Sequence, residues 1–154
     1  MGLRERFNEE MKSAMKAADK KRVGTLRLIL AALKDRDIAN RTEDSRELLG
    51  DDEILSLLAK MIKQREESAE TYEKGGRPEL AAGERDEIAI IREFMPKQMD
   101  EAAAKSAAQK VIAELGAASM KDMGKVMAAL KERYAGQMDF AKASGLVKAL
   151  LSGQ

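Results

Sequence analysis

Cysteine and histidine are both absent from the 154 residues. That absence removes thiolate nucleophiles, disulfides, imidazole bases and zinc sites built on sulfur or imidazole. It is compatible with a reducing cytosol. Tryptophan is missing, aromatics make up 3% of the chain, and proline occurs only at Pro78 and Pro96. A core in such a chain is made of Leu, Ile, Val, Ala and Met, which favours helix packing over sandwich packing. No apolar run approaches the roughly 20 residues of a membrane span. The opening Met1-Gly2-Leu3-Arg4-Glu5-Arg6 leads into a charged amphipathic stretch rather than a signal-peptide core. The expected compartment is the cytoplasm, with no membrane contact. Glycine-rich phosphate loops of the forms G-x-x-x-x-G-K-[ST] and G-x-G-x-x-G are absent, as is the nucleophile elbow G-x-S-x-G. Nothing in the spacing of carboxylates and lysines singles out an acid/base pair. The expectation is no catalytic residue, no metal and no cofactor.

What is present is charge, and it is unevenly distributed. Residues 1–41 carry eleven basic and six acidic side chains, net +5; residues 42–96 carry eight and fifteen, net −7; residues 97–154 carry nine and six, net +3. Two mildly basic ends flank an acidic middle, a pattern that suits a polyanion touched at two places.

Apolar residues recurring at three and four predict a helix over 3–18 (Leu3, Phe7, Met11, Ala14, Met15, Ala18). Asp19 can cap a second helix over 20–41, with Val23, Leu26, Ile29, Leu30 and Leu33 on its apolar face. After a loop at 42–50, Asp51 or Asp52 starts a third helix carrying Ile54, Leu58, Met61, Ile62 and Tyr72, stopped by Gly75-Gly76. Pro78 opens a fourth, with Leu80, Ile88, Ile91 and Met95, which Pro96 ends. The third and fourth should form an antiparallel hairpin. Beyond Pro96 three shorter helices are predicted: Asp100 to Leu115, Ser119 to Ala135 and Asp139 to Leu151, with Gly116 and Gly136 as stops. The expected fold class is all-α, with a four-helix N-terminal domain at 1–96 and a three-helix bundle at 97–154.

Five features stand out. Arg65 falls within the third helix's apolar stripe, while Glu84 and Glu87 fall on that of the fourth. Folding the hairpin about Gly76 sets Arg65 opposite Glu87, either as an ion pair fixing the register or as a functional arginine. Lys20, Arg27, Lys34 and Arg41 recur every seven residues on the second helix. They form either a solvated rim or a track for phosphates. Met120, Met123, Met127, Leu130 and Tyr134 make a stripe that reads as core. Lys121 and Lys125 lie one turn apart on another face, with Asp122 placed to pair with Lys125. Gly124, inside that helix, suggests a close approach by another helix or by a ligand backbone.

The chain resembles the GatB/YqeY family, whose C-terminal part is shared with the tail of the B subunit of tRNA-dependent amidotransferases. The resemblance covers essentially the full length. It is carried by Met15-Lys16-Ala17, Asp19-Lys20, Thr25-Leu26-Arg27, Lys63-Gln64-Arg65 and Tyr72-Glu73-Lys74-Gly75-Gly76-Arg77. It continues through Phe94-Met95-Pro96-Lys97-Gln98-Met99, Asp139 and Leu146-Val147-Lys148. Its most specific piece is Ser119-Met120-Lys121-Asp122-Met123-Gly124-Lys125-Val126-Met127. The resemblance implies a helical N-terminal part, a three-helix tail, and RNA contact through Lys121, Gly124 and Lys125, with Lys142 and Lys148 nearby in sequence. The kinase-like portion of the B subunit and the Ser-rich amidase signature of its partner are both missing. An amidotransferase-type carbon–nitrogen ligase activity would therefore belong to a complex.

The expectation is a tRNA-binding or tRNA-linked accessory protein, with an amidotransferase or another protein as further partner. A helical protein–protein adaptor using a Met-rich surface is the alternative. The oligomeric state stays open.

Overall fold

The computed structural model describes residues 2–45 and 47–153. Among them are seven α-helices and one 3-10 turn, and no strand. They are α1 (Leu3–Lys16), α2 (Lys20–Ala39), α3 (Asp51–Lys74), α4 (Pro78–Arg92), α5 (Glu101–Leu115), α6 (Met123–Arg133) and α7 (Phe140–Leu151). The chain divides into two compact units, Met1–Met95 and Pro96–Gln154, each with its own apolar core.

In the first unit, Phe7 of α1, Leu26, Ile29 and Leu33 of α2, Ile54 and Leu58 of α3, and Ile91 of α4 are almost fully buried. Phe7 meets Phe94 edge to face, ring centroids 4.9 Å apart, and the Arg6 guanidinium lies 5.2 Å from the Phe94 ring centre. The most extensive helix–helix contact is the hairpin of α3 and α4. Its turn is made by Gly76 in the left-handed region (φ 74°), Arg77 N–H donating to Tyr72 C=O at 2.7 Å, and Pro78 as first residue of α4. Glycine carries that φ without the Cβ clash other residues meet. Asp19 caps α2 by accepting from Arg22 N–H at 3.1 Å. Before it, Ala18 takes a left-handed conformation (φ 55°), so α1 stops at Lys16, two residues short of the predicted end. α4 likewise stops at Arg92.

The loop between α2 and α3 is pinned from below by Asp37, which the periodicity of α2 did not include among its apolar-face residues. Its carboxylate accepts from Arg4 Nη1 and Nη2 at 2.8 and 2.6 Å and from Leu49 N–H at 3.0 Å. Arg4 also donates to Leu49 C=O at 3.1 Å. The buried carboxylate thus has every bond it needs to stay ionised. The Arg4 hydrogen bonds, with the Leu49 amide behind them, hold its pKa below the usual carboxylate value.

Periodicity misassigned several apolar residues. Met15, Leu80 and Met120 were expected inside and are 55%, 44% and 43% exposed. Met15 and Leu80 lie in the end turns of α1 and α4, and Met120 lies on the 3-10 turn Met120–Asp122.

Candidate nucleic-acid interface

The second unit packs Val111 of α5, Val126 and Leu130 of α6 and Val147 of α7 into a fully buried centre, with Ala107, Ala108, Ala143 and Leu151 around it. Small and β-branched side chains let the helices approach closely and leave the long polar side chains at the surface. Two of its helix starts are capped as their aspartates predict. Asp100 accepts from Ala103 N–H at 2.7 Å, and Asp139 from Ala141 and Lys142 N–H at 2.9 and 3.4 Å.

The segment around Lys121 departs from expectation. Ser119 makes no side-chain cap; its C=O accepts from Asp122 N–H at 3.0 Å, closing a 3-10 turn over Met120–Asp122. Only then does α6 begin, at Met123. Asp122 turns back to Ala118 N–H (3.1 Å) instead of pairing with Lys125. Lys121 therefore lies on the tighter turn and Lys125 in the first turn of α6, both exposed, not on one regular helix. The expected approach of another helix to Gly124 is also absent. A Cβ built there would meet nothing within 4 Å, and the residue is open to solvent. Its backbone remains accessible to anything outside the unit.

Lys142 and Lys148 are exposed in the first and last turns of α7. Six residues of helix turn them about 120° apart, so they face different directions. Lys20, Arg27 and Lys34 are exposed along α2, and their seven-residue spacing keeps them on one line. Arg41 lies beyond the helix end at Ala39, so the stripe has three helical members and not four.

Four of the six carboxylates in the second unit are already engaged; Glu101 and Glu132 are exposed. Asp100 and Asp139 cap helices, Asp122 bonds Ala118, and Glu114 is held by Arg133, whose hydrogen bond keeps the Glu114 pKa below its usual value. Against them stand Lys97, Lys105, Lys110, Lys121, Lys125, Lys131, Lys142 and Lys148, all exposed. None forms an ion pair among the described residues. Sequence reading named four of these lysines and the caps Asp100 and Asp139; it missed the bond of Asp122 to Ala118 N–H and the pair of Glu114 with Arg133.

The first unit uses charge differently. Arg65 Nε donates to Glu87 Oε2 at 2.7 Å, with Arg65 Nη1 on Met61 C=O at 3.1 Å, and the arginine side chain is only 14% exposed. This is the register-fixing arrangement. Glu84 takes no part in it and stays half-buried on the neighbouring surface. Further pairs cross between helices: Arg22 with Glu10 and Glu93, Arg92 with Glu66, Arg85 with Glu73 and Lys21 with Asp86.

The chain matches the family profile described as "Yqey-like protein" over residues 4–151. The chain belongs to the YqeY family. Among curated proteins, the YqeY chain is 30% identical over 88 residues to "Altered inheritance of mitochondria protein 41, mitochondrial" of Kluyveromyces lactis, covering 57% of the chain and 45% of that protein. The protein of the same name from Lachancea thermotolerans is 32% identical over 89 residues, covering 58% and 46%. An uncharacterized protein of Schizosaccharomyces pombe is 29% identical over 91 residues, covering 59% of the chain and 70% of that protein. The match spans under half the length of the two mitochondrial relatives. Among the described residues, no helix is long and apolar enough to cross a membrane.

Proposed function

We propose that this YqeY-family chain is a tRNA-binding accessory protein, related to the glutamine-dependent tRNA amidotransferases, and that Pro96–Gln154 makes the main RNA contact. The observation that carries the reading is the set of eight exposed, unpaired lysines in a unit whose carboxylates are largely engaged. Such a surface gains binding energy from a polyanion by releasing its counterions. The resemblance to the amidotransferase tail supplies tRNA as the polyanion. Lys121 and Lys125 flank the open backbone at Gly124, where a phosphate can approach without meeting a side chain. Lys142 and Lys148 extend the contact, and Lys20, Arg27 and Lys34 of α2 offer a secondary one. Residues 1–96 and 97–154 act as separate domains in this reading, in the cytoplasm. Any amide-transfer chemistry belongs to an amidotransferase partner.

The test is a titration of labelled tRNA with the full chain at several salt concentrations. The logarithm of the affinity should fall linearly with the logarithm of salt. Replacing Lys121 and Lys125 together with Ala should flatten that slope by roughly 1.4–1.8, the share of two phosphate contacts. Sequence preference should hardly change, because phosphate contacts position a protein without reading bases. The melting temperature should stay put, both side chains being exposed. Absence of salt-dependent tRNA binding at low ionic strength would leave the adaptor reading in its place.

A further inference from the structure

We infer that the groove between α2 and α4 is a docking surface for a cationic amphipathic helix of a partner protein. The inference concerns the first unit alone and does not rest on RNA binding.

The groove is open to solvent and holds about 560 Å³. Lys20, Gly24 and Leu28 line it from α2 at four-residue spacing; Leu80, Gly83 and Glu84 line it from α4. Two glycines in helix interiors are costly, each disfavoured by about 1 kcal/mol against Ala. Nothing inside the unit requires them. Neither has a left-handed φ, and a Cβ at either position would meet nothing within 4 Å. What the missing side chains do is keep the groove open down to the backbone. A third helix can then settle at the roughly 8 Å axial distance that small residues permit. Leu28 and Leu80, 45% and 44% exposed, stand uncovered beside the glycines and supply the apolar contact such a helix needs.

The charge of the lining selects the occupant. Lys21 and Asp86 neutralise each other across the two helices at 2.6 Å, and Glu87 is held by Arg65. Among the described residues this leaves Glu79 and Glu84 against Lys20, so the groove is acidic. A helix with an apolar stripe edged by lysine or arginine complements it; an acidic one is repelled.

The experiment uses the full chain, labelled with 15N, and three synthetic helical peptides of about five turns. One carries a Leu/Ala stripe edged with Lys, one has Glu in place of every Lys, and one has the Lys composition with the stripe scrambled. The first should shift the Gly24 and Gly83 amide resonances. The variant Gly24→Leu/Gly83→Leu fills the groove and should bind it at least about tenfold more weakly, a loss of about 1.4 kcal/mol. If that variant misfolds, Gly24→Ala/Gly83→Ala, which adds only two methyl groups to open space, should still weaken binding. The inference is overturned if the two glycine amides stay unmoved at about millimolar peptide. It is equally overturned if the Glu or scrambled peptide binds as well as the first, or if the folded glycine variants bind as well as wild type.

Discussion

In the first unit carboxylates and guanidinium groups reach across helix interfaces to one another; in the second, the three aspartates turn back onto their own backbone, Glu114 alone pairs across helices, and the lysines are left exposed. Asp37 and Glu87 illustrate one habit, each joining its helix to the one before it, Asp37 to Arg4 and Glu87 to Arg65. Asp100, Asp122 and Asp139 illustrate the other, each satisfying an amide two to four residues away. In the first unit the pairs Arg65–Glu87 and Arg4–Asp37 fix the register of aliphatic stripes that could otherwise slide. In the second unit the starts of α5 and α7 are fixed by aspartate caps, and the lysines form no ion pair among the described residues.

Removing charge should therefore damage the first unit and spare the second. The largest effect is expected at Asp37. Asp37→Ala leaves Arg4 partly buried without its anion and Leu49 N–H without an acceptor. It should cost about 3 kcal/mol in chemical denaturation, the lower end for breaking a buried pair because Arg4 is 29% exposed. The same group gives a pH dependence. Its folded pKa lies below its unfolded value near 3.8, so its contribution is complete well above that value. The contribution is lost as pH falls through the depressed folded value. Asp37→Asn should accordingly flatten the acid limb of the stability curve.

Next comes Arg65→Leu, expected to cost about 2 kcal/mol, since Glu87 is 32% exposed and water softens its loss of partner. Lys63→Leu, on the exposed side of the same helix, should be nearly silent by the same measurement. Arg133→Ala in the second unit should not move the thermal midpoint measurably, because its pair with Glu114 lies at the surface. A gain is expected at Gly24 and Gly83. Either one to Ala should stabilise the first unit by up to about 1 kcal/mol, read from the denaturation midpoint.

Much of this was legible in the sequence. Gly75-Gly76 with Pro78 announces the hairpin, and counting outward from Gly76 sets Arg65 opposite Glu87, because both helices rise uniformly from one turn. Asp37 carried a readable signal too, standing one turn beyond Leu33, but its partner Arg4 belongs to another helix at no fixed spacing. The 3-10 turn before α6 was not legible. A serine followed by an apolar run reads as a capped helix, and which way Asp122 turns is decided by the Gly116–Ser119 turn. Nor could periodicity say that Leu80 and Met120 lie uncovered, since a stripe shows which face is apolar and not how far a neighbour reaches. For the same reason Gly124 suggested packing where the structure has open solvent.

The most direct test sets two charge-removal variants of the full chain side by side in a tRNA titration across several salt concentrations. One replaces Lys121, Lys125, Lys142 and Lys148 with Ala; the other replaces Lys20, Arg27 and Lys34. The first should flatten the log–log salt slope by roughly 3, while the second should change it by less than about 1. A larger effect from the α2 variant, or equal slopes for wild type and the four-lysine variant, would contradict the assignment of the RNA contact to the second unit.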